Sequence, residues 1–390
     1  MNQPAAEDAI YLDHNATTPT RPEVVEAVAE CYRQGYANPA SHHLLGQKAK
    51  ARLEDAREAM ASLLGLDLSG PKPDRLVFTS GGTESNCLAL FGMAAARETT
   101  PGQIIISAVE HSSVIEPAEH LLETGWRLDQ LGVDANGVVR VERLEDILGD
   151  DTRLISVTLA NHDIGAIQPV SDLATICRAR GVPIHTDAIQ AVGKIPVDFR
   201  SLGVDALSLA AHKFQGPLGI GALAVRGDID IRPIHYGGHQ QWDLRPGTEP
   251  LPLVIGMLTA LELWHGDHET HHRHLADLRD RFEAGLAEGD IDVRVNGADA
   301  PRLPNVSNVA FAGLDAQMLL MALDQVQVAC SVGSACSSGS TELSPTLLAM
   351  ELPKEIVRGS LRFSLGATTT EAEIDEAVRR IRYVVEQFRG

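Results

Sequence analysis

The chain has no apolar run of the ~18 residues that a membrane span requires, and residues 1–10 lack the basic start and apolar stretch of a signal peptide. Neither membrane insertion nor secretion is expected. Basic residues are in deficit: 33 Lys and Arg stand against 53 Asp and Glu, a formal net charge of −20, with no sustained basic block. Such a surface repels a phosphate backbone, which excludes general nucleic-acid binding. Cysteine is sparse, and Cys31, Cys87, Cys177, Cys330 and Cys336 form an odd set without a CxxC pair. A disulfide framework is therefore excluded and a reducing cytoplasm fits best. There is also no GxGxxG or Walker A loop, so dinucleotides and nucleoside triphosphates lose support as ligands.

What is present is a 44% hydrophobic share over 390 residues, enough for a large core and a second, smaller lobe. Thr20-Arg21-Pro22-Glu23 has the form of a capping box with an early proline and predicts a helix over Val24, Val25 and Val28. A second helix is predicted from Leu44 to Leu64, stopped by Gly65. Short β-branched runs at 75–79, 103–107, 154–159, 182–185 and 206–209 then alternate with helical patterns. These runs are apolar on both faces, which predicts a mostly parallel sheet covered on both sides, the centre of a large α/β domain. After Pro250 the pattern becomes one long helix, 253–288, then a mixed segment ending in a strand at 361–365 and a helix at 371–388. The expected division is a large domain over 14–262 and a small α/β domain of 1–13 with 263–390. Cys31, Cys87 and Cys177 lie in helical patterns as small hydrophobes, and Cys330 follows the apolar Val326 and Val328. Cys336 differs, because its neighbours from Ser331 to Ser340 are mostly small and polar, which suits a reactive thiol better than a core one.

Ligands of open α/β sheets bind beyond the carboxyl ends of the strands. After the run ending at Thr79 comes Ser80-Gly81-Gly82-Thr83-Glu84-Ser85-Asn86, opening a helix; glycines and unpaired N–H groups there favour a phosphate. Asp187 follows the run ending at His185, and the next run leads into Ala211-His212-Lys213. A carboxylate that keeps a pyridine nitrogen protonated and an amine that takes up an aldehyde are what a pyridoxal-phosphate enzyme needs, and adjacent strand ends let the two span one ring.

Together with Tyr11 to Pro19, Asn38-Pro39-Ala40-Ser41, Glu110-His111, His185 to Gln190 and Gly333-Ser334-Ala335-Cys336, these motifs resemble the cysteine desulfurase family, in order and nearly end to end. The resemblance is to the long-loop class that supplies sulfur for iron–sulfur clusters. It implies a fold-type I pyridoxal-phosphate enzyme with a mostly parallel seven-stranded sheet, acting as a cytoplasmic homodimer. It implies that Lys213 holds the cofactor as a Schiff base, that Asp187 partners the pyridine nitrogen, that Gln190 meets the ring hydroxyl and that His111 stacks on the ring. Gly82, Thr83, His212 and, from the other subunit, Thr248 would hold the phosphate. Asn161, Arg362 and Asn38 would bind L-cysteine, with the planar fork of Arg362 suited to its carboxylate. Lys213 would act as base at the substrate Cα, and the Cys336 thiolate would take the sulfur as a persulfide, releasing alanine and passing sulfur to a scaffold or other acceptor protein. Deprotonation of Cys336 would fall to His111 or to a substrate-bound base.

Three positions depart from the family pattern. Ala210 stands where a phosphate-binding Ser or Thr is usual, Asn161-His162-Asp163 replaces the commoner Asn-Asn-Glu, and Leu343 replaces a proline. The nearest alternatives are selenocysteine lyase, cysteine sulfinate desulfinase or a non-catalytic sulfur carrier. A different chemistry is offered by His268-Glu269-Thr270-His271-His272, a formal HExxH that would make a zinc metallopeptidase site. The plainer reading is a solvated, histidine-rich stretch of the long helix.

Overall fold

The structure, a computed structural model, describes residues 9–97, 100–289, 291–333 and 343–389. After β1 (Ile10–Tyr11), seven strands build the main sheet: β2 (Arg75–Thr79), β3 (Gln103–Ser107), β4 (Arg127–Leu131), β5 (Thr152–Thr158), β6 (Ile184–Asp187), β7 (Ala206–Ala210) and β8 (Gly221–Val225). Their spatial order is β2-β8-β7-β6-β5-β3-β4. Strands β3 to β7 pair in parallel, and β8 runs antiparallel between β7 and β2. The sheet is thus mostly parallel and seven-stranded, as the resemblance implied.

Side chains alternate across these strands, and both faces are buried. Leu76, Phe78, Ile105, Ile155, Val157, Leu207 and Leu209 enter one core, with Val24 of α1 (Pro22–Arg33) and Leu53 of α2 (Leu44–Leu63). Val77, Ile104, Ile106, Leu154 and Leu223 enter another, beneath α3 (Gly82–Arg97) and α4 (Ser112–Leu122). Each such side chain contributes roughly 1.5–3 kcal/mol on burial, which is why the runs read as apolar on both faces.

A third core joins Ile10 and Leu12 to Val309, Phe311, Leu361, Phe363 and the inner face of the carboxy-terminal helix. Its sheet consists of β9 (Val293–Val295) and β10 (Val306–Phe311) with the later β12, while β11 (Val328–Ala329) pairs in parallel with β1. Strand β12 (Ser360–Ser364) lies antiparallel to β10. The 37-residue helix α5 (Leu251–Ala287) packs Val254 to Leu261 on the sheet core and Leu275 to Leu286 in the third core; α6 (Glu371–Arg389) closes the latter.

Two local expectations are corrected. Thr20 does not cap α1: the N-cap is Arg21 without a side-chain bond, Thr20 Oγ1 donates to the Gly216 carbonyl at 3.3 Å, and Glu23 pairs with Arg21 at 3.6 Å. A tertiary acceptor has displaced the local one. Strands β4 and β8 were not among the predicted runs, because β4 is charged and β8 is built of small residues. Gly65 does end α2, at φ +73°, a conformation that favours glycine. No helix among the described residues is long and apolar enough to cross a membrane.

Candidate active site

The loops after β2, β3, β5, β6 and β7 meet at one sheet edge around a cavity of about 260 Å³. Gly82, Thr83, His111, His162, Asp187, Gln190, Ala210, His212 and Lys213 are on its wall, with Ala16, Ser113, Thr158, Ala160 and Ile189. Most of the predicted cofactor set is therefore brought to one place by strand order alone. At Gly82, the first residue of α3, an added Cβ would come within 2.2 Å of Ile189 Cδ1, so any larger residue there would have to push the Ile189 side chain aside.

Asp187 ends β6 and is 4% exposed. Its Oδ1 accepts from the Ile189 N–H at 2.9 Å and its Oδ2 from Asn86 Nδ2 at 2.7 Å. Burial pushes its pKa up, while the Ile189 N–H, His111, Asn86 and Lys213 pull it back toward the charged form. Lys213 Nζ donates to the carbonyls of Asn15 at 2.6 Å and Ala16 at 2.9 Å. His111 precedes α4, and its Nδ1 accepts from the Ser113 N–H at 3.1 Å. His212 is driven down to about 4, first by burial and then by the charges of Lys213 and Lys194. Below the site, His185 joins neighbouring strands through Ser156 Oγ at 2.8 Å and Ser208 Oγ at 2.9 Å, and burial lowers it to about 3.

This wall fits a phosphorylated pyridine aldehyde. It offers a carboxylate held in place by two donors, an amine, and the N-terminus of a 16-residue helix with Gly82 and Thr83 at its start. Asn86 Oδ1 is buried without a partner among the described residues, so the Asn86 amide is committed to Asp187 through its Nδ2 side.

The substrate set is less concentrated. Asn161 is fully buried and occupied: its Oδ1 accepts from the N–H groups of Asp163 and Ile164, and its Nδ2 donates to the Val109 carbonyl and Thr346 Oγ1. It is the neighbouring His162 that faces the cavity, its ring edge-to-face with His111 at 5.2 Å. Burial first, and then His111, Arg362 and Lys213, hold His162 well below its usual pKa. Arg362 lies off the cavity wall, with Nη2 on Asp13 Oδ1 at 2.7 Å, Nη1 on the His162 carbonyl at 3.2 Å, and Nε buried without a partner among the described residues. Asn38 and Thr248 are both exposed and away from the cavity of their own chain; Asn38 Oδ1 accepts from the Ala40 N–H at 2.9 Å. Cys336 lies outside the described residues.

Sequence reasoning missed Asn86, Ser113, His162, Glu110, Asn15 and Lys194. His162 had a signal, as a departure within a quoted motif; Lys194 had only an apolar neighbourhood. Glu110 is buried, accepts through Oε1 from the Thr158 N–H at 2.7 Å and from Ser107 Oγ, and leaves Oε2 without a partner among the described residues. Burial raises its pKa to about 8, with Asp187 adding to the rise. Because the folded value lies above the unfolded one, stability from Glu110 is full below the unfolded pKa and erodes as pH rises toward 8. Glu110→Gln removes that erosion, so its advantage in thermal melting over the parent is expected to grow from pH 5 to pH 8, by on the order of 4 kcal/mol. A gap independent of pH would mean that Glu110 is ionised throughout.

The HExxH residues do not assemble a site. His268 stacks on Trp264 at 5.4 Å and His265 at 5.7 Å, and among the described residues no three His, Cys, Asp or Glu side chains gather to hold a metal.

The model of the class-V aminotransferase family matches residues 10–377. The chain is 41% identical to a cysteine desulfurase IscS of Dictyoglomus turgidum, over 97% of this chain and 95% of that protein. It is 42% identical to an IscS-like cysteine desulfurase of Mycobacterium tuberculosis, over 94% of each. Among solved structures, a NifS-like protein superposes with a TM-score of 0.88 at 32% identity, covering 97% of this chain and all of that one. DndA from Streptomyces lividans superposes at 0.74 and 37% identity, covering 90% and 97%.

Proposed function

Since the chain belongs to the class-V aminotransferase family, among its cysteine desulfurases, we propose that it seats pyridoxal 5'-phosphate in the 260 Å³ cavity and passes the sulfur of L-cysteine to Cys336. The observation that carries this is the meeting of Asp187, Lys213 and the α3 N-terminus on one wall. When bound, the cofactor supplies an aldehyde for the substrate amine and a ring that withdraws electrons from Cα.

The chain's own residues do the rest. Asp187 would keep the pyridine nitrogen protonated, Gln190 would meet the ring hydroxyl, His111 would lie over the ring, and Gly82, Thr83 and His212 would hold the phosphate. Arg362, oriented by Asp13 and with a buried Nε that has no partner among the described residues, would take the substrate carboxylate. His162 takes the cavity-facing place beside the fully bonded Asn161. Lys213 removes the proton at the substrate Cα. In balance, the Cys336 thiolate forms an S–S bond with the cysteine sulfur as the Cβ–S bond breaks, and protons return to both Cβ and Cα to leave alanine.

The two lobes, 14–262 and 1–13 with 263–390, are supported by the separate third core and by the passage of α5 from one core to the other. A homodimer is supported by the exposure of Thr248 and Asn38 outside their own cavity. Likeness to relatives named cysteine desulfurase IscS supports sulfur delivery to an iron–sulfur scaffold or another acceptor protein, and the sparse cysteines without a CxxC pair support a cytoplasmic setting. The test supplies L-cysteine, selenocysteine and cysteine sulfinate in parallel and measures alanine. Faster turnover of either analogue would replace this substrate assignment.

Ala210 sits on the cavity wall where the family carries a hydroxyl. A hydrogen bond to a charged group is worth roughly 1.5–3 kcal/mol, so Ala210→Ser is expected to slow loss of pyridoxal phosphate about tenfold or more. An unchanged rate would place that position away from the phosphate.

A further inference from the structure

An outer groove of about 780 Å³ borders the first turn of α3, and Thr83 lines both this groove and the 260 Å³ cavity. In the groove the Glu84 carboxylate meets Arg245, with Oε1 accepting from Nε at 2.9 Å and Oε2 from Nη2 at 3.4 Å. Glu84 Oε2 also accepts from the Ser80 N–H at 2.6 Å, so the carboxylate lies against the turn that runs into α3. Its side chain is 9% exposed and that of Arg245 25%. A second staple lies earlier in the same loop. Gln241 Oε1 accepts from the Phe78 N–H at 2.7 Å and Gln241 Nε2 donates to the Phe78 carbonyl at 2.8 Å, which completes the open edge of β2 with a side chain. Gln241, Trp242 and Asp243 all take positive φ, from 49° to 63°, a conformation that successive non-glycine residues keep only where their surroundings fix it. The turn at 80–83 is thus held by one staple before it, at Phe78, and one after it, at Glu84.

We propose that Glu84 and Arg245 are positioning residues for the cofactor phosphate, the arginine fork holding the 80–83 turn in shape and cancelling a carboxylate that would otherwise repel the anion. The proposal rests on the placing of that phosphate at the start of α3. A carboxylate in the first turn of a helix suits an empty N-terminus, yet beside a phosphate dianion it is a like charge. The two-bond pairing with Arg245 removes that conflict, because the pair is neutral as a unit and its geometry fixes the side chain. Burial would raise the Glu84 carboxyl, but the bonds from Arg245 and Ser80 outweigh it and hold the group below its ordinary value. Glu84 is therefore charged near neutral pH and needs its partner. The other titratable groups on the groove are His235, with Nδ1 3.8 Å from Glu84 Oε1, and Cys87, whose thiol is raised first by burial and then by Glu84.

The test uses full-length protein loaded with pyridoxal phosphate and reads two quantities: the rate of cofactor release, and the pH midpoint at which the phosphorus NMR resonance of the bound phosphate shifts. A phosphate monoester loses its second proton at about pH 6, and a stranded negative charge nearby moves that loss upward. Arg245→Gln strands Glu84 and is expected to release cofactor about tenfold faster and to raise the midpoint by about one pH unit. Adding Glu84→Gln to that variant is expected to return the midpoint to the parent's, a rescue that a merely structural role for Arg245 would not give. Glu84→Gln alone leaves an unpaired cation and is expected to lower the midpoint. If Arg245→Gln does not fold, Glu84→Gln decides by itself. A midpoint unmoved in either single variant, or a double variant as displaced as Arg245→Gln, overturns the proposal, whereas Thr83→Val protein with the parent's release rate and midpoint overturns the placing of the phosphate instead.

Discussion

Replacing Lys213 by alanine is expected to abolish turnover of L-cysteine, by about 10⁴-fold or more, because one amine serves both as attachment point and as proton carrier. Its place on the cavity wall, with Nζ held by the Asn15 and Ala16 carbonyls, leaves no second amine poised in the same cavity among the described residues. Pyridoxal phosphate should then leave on gel filtration, with no visible absorbance band retained. Lys213→Arg is expected to fail equally, since a guanidinium stays charged and cannot act as a nucleophile at neutral pH. A variant that keeps both the band and turnover within about tenfold of the parent would remove Lys213 from the mechanism.

The second large effect is expected at Cys336. Alanine formation from L-cysteine should fall about 100-fold or more in Cys336→Ala, while the cofactor band and its pH titration match the parent. Burial pushes up the thiols of Cys31 and Cys87, and it pushes those of Cys177 and Cys330 to about 12. Sulfur transfer needs a thiolate, so these four are poor candidates and the cysteine among small polar neighbours is left. Unchanged turnover in the variant would sink the persulfide assignment, and Cys330→Ala is the matching control, expected to alter stability more than rate.

Much of the main sheet was legible because its strands are buried on both faces and carry β-branched side chains. The two strands missed show the limits of that signal. Strand β4 lies at the sheet edge and carries Arg127, Asp129 and Gln130, so it reads as a surface segment. Strand β8, Gly-Ala-Leu-Ala-Val, is built of residues too small to announce a strand, and its partners β2 and β7 define it only in three dimensions. The site divides the same way. Gly82, Asp187 and Lys213 follow directly from strand ends, and chain order alone predicts their meeting. Lys194 and Glu110 take their character from burial and from partners 179 and 48 positions away, which no local pattern contains. At Asn161 and His162 the family pattern pointed to the first residue, whereas the turn after β5 spends its side chain on the Asp163 and Ile164 N–H groups and turns the second toward the cavity.

The seat of His111 at the start of α4 has a consequence for proton traffic. A ring nitrogen that receives the Ser113 N–H cannot itself carry hydrogen, so the neutral imidazole is confined to the tautomer protonated at Nε2. While that cap holds, His111 offers a hydrogen-bond donor at Nε2, and its Nδ1 lone pair is spent on the Ser113 N–H. A group arriving there in need of a base meets Lys213, His162, His212 and Asp187 on the same wall instead.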